Sequence, residues 1–96
     1  MKLIYGDCGS GKTKQILELS CKTKTPILCE SDQRKQRLLE KAKGYGINIP
    51  IPIVYTEGCE GRDVLVDDPK RLLEAMLHAN LVGLTVNVPT DDVTKL

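Results

Sequence analysis

Short apolar runs alternate along this chain with longer stretches in which apolar residues recur every three or four positions. The first run, residues 2–5, predicts a strand. Residues 14–21 follow with Ile16, Leu17 and Leu19 on one side of a helix. Thr25-Pro26 breaks that pattern, and Ile27-Leu28-Cys29 is apolar throughout, as a buried parallel strand should be. Ser31 is a natural N-cap for a second helix over 32–43, which would bury Leu38, Leu39 and Ala42 and close at Gly44 or Gly46.

A proline-punctuated connection, 47–52, then leads to a third strand over 53–55. That strand must start after Pro52, which has no N–H for a ladder. Residues 56–61 read as a loop and 63–67 as another buried strand. A helix over 69–79 carries Leu72, Leu73, Met76 and Leu77 on one face, and a last strand over 84–88 precedes a polar tail ending at Leu96. Strands alternating with helices imply an α/β fold with a small, mostly parallel central sheet of about five strands, right-handed crossovers and flanking helices.

Composition changes this picture little. The chain of 96 residues corresponds to one domain over residues 1–96. At 41% apolar residues, with no Phe or Trp and only Tyr5, Tyr45 and Tyr55 as aromatics, the core must be aliphatic. So short a chain leaves much surface unburied, so its stability is expected to lean on a ligand or a partner subunit. A net charge of +1 gives no overall bias towards nucleic acid or membrane. No run is long enough to span a membrane. Cys8, Cys21, Cys29 and Cys59 have no C-x-x-C spacing, and the chain enters a strand directly after Met1. Free thiols in a reducing, cytoplasmic setting are the expectation.

The chemistry concentrates in Gly6-Asp7-Cys8-Gly9-Ser10-Gly11-Lys12-Thr13, which satisfies the spacing G-x-x-x-x-G-K-[ST] between a predicted strand and a predicted helix. Glycines at these positions let successive backbone N–H groups line an anion nest, and the following helix adds its positive end. Lys12 would reach the β- and γ-phosphates of a bound nucleotide, and the Thr13 hydroxyl would ligate Mg²⁺. The apolar strand Val64-Leu65-Val66 ends in Asp67, the position for a carboxylate holding the metal's water shell. Asp68 has two readings. It is either the carboxylate that polarises an attacking water or the N-cap of the helix that Pro69 begins.

The order of loop, crossover, Asp-ended strand and a strand carrying Thr85 resembles the additional-strand P-loop NTPases. More narrowly it is similar to the nucleotide core of helicases and to small phage and prophage ATP-binding, helicase-related proteins. The resemblance implies a three-layer P-loop fold, ATP and Mg²⁺ as ligands, and Thr85 as a polar sensor of the γ-phosphate. The other reading of Thr85 is a plain β-branched strand residue. It also puts Ser31 and Asp32 where such cores touch single-stranded nucleic acid, beside their reading as a helix cap. Two departures stand out. Asp68 occupies a position where the family usually has Glu, and the chain has no second motor domain.

The second predicted helix concentrates Arg34, Lys35, Arg37, Lys41 and Lys43, either a track for a phosphate backbone or a solvated face. His78 reads as a surface or helix-packing residue. Cys8, a spacer within the loop, predicts that thiol alkylation blocks nucleotide binding. Three functions follow. One is a weak or partner-dependent ATPase in phage or mobile-element DNA metabolism, working with DNA, a DNA-processing protein or further copies of itself. Another is a non-catalytic, nucleotide-dependent interaction module. The third is a small nucleoside kinase, for which this length leaves little room for an acceptor pocket. The absence of N-K-x-D favours ATP over GTP.

Overall fold

The computed structural model describes residues 1–88 and 91–96. The protein is α/β, with three α-helices and five short strands among the described residues. In chain order these are β1 (Leu3–Tyr5), α1 (Lys12–Thr23), β2 (Ile27–Cys29), α2 (Asp32–Gly44), β3 (Ile53–Val54), β4 (Leu65–Val66), α3 (Pro69–Leu77) and β5 (Val93–Lys95). A single 3-10 turn, Tyr55–Glu57, follows β3. No helix among the described residues is long and apolar enough to cross a membrane.

Every ladder is parallel, but the strands form two sheets rather than one. β1 pairs with β5, and β2 lies between β3 and β4. In the three-stranded sheet the side chains of β2 alternate between two cores, as the strand period requires. Ile27 and Cys29 join Ile16 and Leu17 of α1, Leu38 and Ala42 of α2, and Val54. Leu28 turns the other way, to Ile53 and to Leu72 of α3. Helices therefore cover both faces of this sheet.

The helix ends follow from local chemistry. The Arg34 N–H donates to Ser31 Oγ at 3.1 Å, which makes Ser31 the N-cap of α2. At the other end Gly46, at φ +71°, lets the Gly46 and Ile47 N–H groups return to the Lys43 and Ala42 carbonyls. That pair of bonds satisfies the last turn and folds Ile47 back onto the core. α3 starts at Pro69, with Asp68 as its cap. It ends two residues sooner than its periodicity predicts, because His78 adopts the left-handed conformation at φ +54° and the Leu81 N–H donates to Glu74 Oε2 at 2.8 Å. That amide, with Lys70 adding to it, holds the Glu74 carboxyl below the usual range.

Three expectations are corrected. The stretch 84–88 is not a strand: all its residues are exposed, and after α3 the only ladder among the described residues is that of β5. β5 lies in what reads as the polar tail, of which residues 89 and 90 fall outside the described residues. The apolar face of α3 is buried only at Leu72, with Met76 and Leu77 exposed, since the helix meets just one small cluster. The third and fourth strands are also shorter than the apolar runs: Tyr55 opens the 3-10 turn, and β4 keeps only Leu65 and Val66.

Candidate functional site

The loop from Gly6 to Thr13 joins the end of β1 to the start of α1. Gly9 and Gly11 sit at φ +81° and +91°, a region that favours glycine, and Gly11 is the N-cap of α1 without any side-chain cap. The Ser10 N–H donates to the Asp7 carbonyl at 3.1 Å, which tightens the turn. Gly6 is a glycine for reasons of space. A Cβ there would stand 2.6 Å from Ser10 Oγ and 3.1 Å from both the Cβ and the carbonyl oxygen of Leu96. Leu96 is held in place by its own N–H, which donates to the Tyr5 carbonyl at 2.8 Å. The Ser10 hydroxyl is buried and has no hydrogen-bond partner among the described residues.

Lys12, the first residue of α1, turns its ammonium back across the loop. Nζ donates to the carbonyls of Gly6 at 2.8 Å and Asp7 at 2.6 Å. Asp7, Cys8, Gly9 and Gly11 are exposed around it. Thr13, next along the helix, donates from Oγ1 to Asp67 Oδ2 at 3.2 Å. This contact joins residues 54 positions apart: Thr13 lies in the first turn of α1, the helix that follows β1, and Asp67 directly follows β4, a strand of the other sheet. The sequence pairs Thr13 with Asp67, and the structure brings the two together.

Arg34 is the residue that pattern reading missed. One turn into α2, its Nη2 donates to the same Asp67 Oδ2 at 2.5 Å. The pair is nearly closed to solvent, with the Arg34 side chain 13% exposed and that of Asp67 8%. A signal was present: Arg34 occupies the first turn of α2, where the helix end is itself positive and a cation is unfavourable unless a partner compensates it. Arg71 stands at the equivalent position of α3, with Nε 3.4 Å from Asp68 Oδ2. The second helix is therefore not a uniform basic face, because Arg34 turns inward and Lys35 pairs with Glu57 at 3.2 Å.

The remaining candidates separate. Asp68 acts as a cap: Oδ1 accepts the Arg71 N–H at 3.2 Å. Thr85 lies exposed on the irregular stretch 84–88, away from any ladder. Ser31 is engaged as a cap, whereas Asp32 is exposed. His78 is exposed at the end of α3. Cys8 is exposed and Cys29 buried. Burial raises the Cys29 thiol pKa above its ordinary value, against the opposing pull of the Ser31 carbonyl contact.

The Lys12 ammonium thus lies on the glycine-rich turn, and the hydroxyl of the next residue, Thr13, meets the Asp67 carboxylate. Hydroxyl and carboxylate oxygens are the donors a hard cation such as Mg²⁺ takes. Among the described residues no three His, Cys, Asp or Glu gather into a metal-binding group. A cation at Asp67 would therefore complete its shell with oxygens from water or from a bound ligand, which is how Mg²⁺ is usually held. The donor set fits that ion. Comparison with known proteins finds no family model, no curated protein and no solved structure that matches this chain.

Proposed function

We propose that this protein binds Mg²⁺-ATP at the loop of residues 6–13 and is a weak or partner-dependent ATPase in phage or mobile-element DNA metabolism. The observation that carries the reading is the meeting of Thr13, in the first turn of α1, with Asp67, directly after β4, at the end of a loop with the G-x-x-x-x-G-K-[ST] spacing. The proposed fold is the three-layer, additional-strand form of the P-loop NTPases. Support comes from the all-parallel pairing and from the strand–loop–helix order of β1, residues 6–11 and α1.

In this reading Lys12 swings from its own loop carbonyls to the β- and γ-phosphates. The loop amides and the start of α1 hold the same oxygens. Thr13 and Asp67 would hold Mg²⁺, which when bound supplies the charge that neutralises the β- and γ-oxygens. Asp68 enters hydrolysis only if its carboxylate leaves the Arg71 amide. That engagement favours a second reading, a nucleotide-dependent interaction module that binds ATP without cleaving it. Four free cysteines agree with a reducing, cytoplasmic setting.

The deciding experiment measures ATP binding and hydrolysis for the wild type and Lys12→Ala, with and without single-stranded DNA. Binding lost in the variant supports the site, and unchanged binding refutes it. Turnover that DNA stimulates selects the ATPase. Binding without turnover under either condition selects the module.

A further inference from the structure

Arg34, the partner of Asp67, also lines a cavity of about 150 Å³ together with Glu30, Ser31, Gln33, Arg37 and Arg71. It sits after the end of β2, between the first turns of α2 and α3. Three arginines line it against one acidic residue, Glu30. Arg37 has no ion pair or hydrogen bond among the described residues. Arg71 is mostly exposed, and its one ion pair among the described residues is with Asp68 at 3.4 Å. Arg34 is compensated, but by Asp67, the carboxylate that also faces Thr13.

This arrangement joins two sites through one side chain. Asp67 Oδ2 takes both the Thr13 hydroxyl and the Arg34 guanidinium, so a cation held beside Thr13 would compete with Arg34 for the same carboxylate. When Asp67 turns to a cation bound at Thr13, Arg34 loses its counter-charge. It is held by α2 at the wall of the cavity, so its freed charge falls among Arg37 and Arg71. Guanidinium groups recognise phosphate oxygens through paired N–H donors, and three of them exceed what Glu30 and the Asp68 beside Arg71 can offset.

We propose that the cavity among Arg34, Arg37 and Arg71 is a second anion site, for a phosphate group, whose affinity rises when Asp67 exchanges Arg34 for Mg²⁺. The inference rests on the Mg²⁺-nucleotide reading of the loop. It adds a coupling: phosphate in the cavity strengthens Mg²⁺-nucleotide binding by the same factor by which Mg²⁺-nucleotide strengthens phosphate binding. The phosphate can be free or part of a nucleic-acid strand, and the two sources are separable by experiment.

The test is calorimetric titration at constant ionic strength into protein saturated with a non-hydrolysable ATP analogue, so that the loop itself is filled. Inorganic phosphate is titrated in one arm and a ten-residue oligothymidylate in the other, each with Mg²⁺ and with EDTA. Phosphate is expected to bind about tenfold tighter with Mg²⁺ than with EDTA, within the usual range of coupling between sites. R37Q/R71Q, at two exposed positions, is expected to lose that binding while holding Mg²⁺-nucleotide as the wild type does. Tighter binding of the oligothymidylate than of phosphate identifies a strand as the source, and the reverse identifies a free phosphate. Equal phosphate affinity with and without Mg²⁺, or in R37Q/R71Q and wild type, overturns the inference and leaves the loop reading intact. Failure of the analogue to bind at all overturns both.

Discussion

Replacing Arg34 with Met asks how much the Arg34–Asp67 pair contributes and whether a cation is wanted at Asp67. Met keeps most of the aliphatic stem and removes only the guanidinium. Asp67, 8% exposed in the intact pair, then keeps the Thr13 hydroxyl as its one remaining partner among those described. Removing one member of a buried pair costs about 3–5 kcal/mol. The Thr13 bond persists, so the lower end applies, about 3 kcal/mol. For a domain whose total stability is about 5–15 kcal/mol this is a large fraction. It corresponds to a fall in Tm of roughly 12–24 °C at this chain length.

Urea unfolding followed by circular dichroism measures the loss, and a double-mutant cycle with Asp67→Asn isolates the pair. A coupling of about 2 kcal/mol is expected, within the span of roughly 0.5–3 kcal/mol seen for contacting residues. Mg²⁺ alone should stabilise Arg34→Met more than the wild type, because it then meets a carboxylate without a competing cation. A coupling below about 0.5 kcal/mol, the level of an exposed ion pair, would refute the reasoning. So would an equal response of the two proteins to Mg²⁺.

Gly6→Ala forces a Cβ to within 2.6 Å of Ser10 Oγ. It should cost about 1–3 kcal/mol as overpacking does, read as a shifted urea midpoint. Asp68→Ser keeps a cap oxygen for the Arg71 N–H. Its stability should therefore stay within about 0.5 kcal/mol of wild type, and any ATP turnover retained in it rules Asp68 out as the water-polarising group. The raised Cys29 pKa makes the thiolate less favourable folded than unfolded, so this group's stabilisation is full below its ordinary value of 9.0 and is lost as pH rises through the folded value. Tm measured across that alkaline window should fall less for Cys29→Ala than for the wild type.

The helices and the inner strands were legible because their signals are local. Ser31 and Asp68 cap where a side-chain oxygen three residues ahead of an N–H predicts, and Ile27-Leu28-Cys29 is fully buried. The loop glycines were legible from spacing alone, although the reason for Gly6, a wall made by Leu96, lies at the other end of the chain. What stayed hidden depends on partners distant in sequence. Val93–Lys95 is short and polar and becomes a strand only because β1 offers it a ladder. Leu84, Val86 and Val88 alternate as a strand should, yet stand 64%, 53% and 52% exposed, since alternation marks a face without supplying something to bury it. Arg34 reads as one cation among several until Asp67, 33 residues away, gives it an address.

The pairing of β1 with β5 sets the order in which the molecule can become competent. Leu3, Ile4 and Tyr5 stand in register with Val93, Thr94 and Lys95, and no other ladder holds β1 among the described residues. Closing so long an intervening chain is entropically costly and slows folding. The three-stranded sheet with α2 and α3 draws on contacts much closer in sequence and can assemble earlier. On the ribosome, residues 6–13 emerge well before residues 93–95, so the strand that anchors them waits for its partner until those later residues have left the exit tunnel. The glycine-rich turn is thus made long before the strand that seats it.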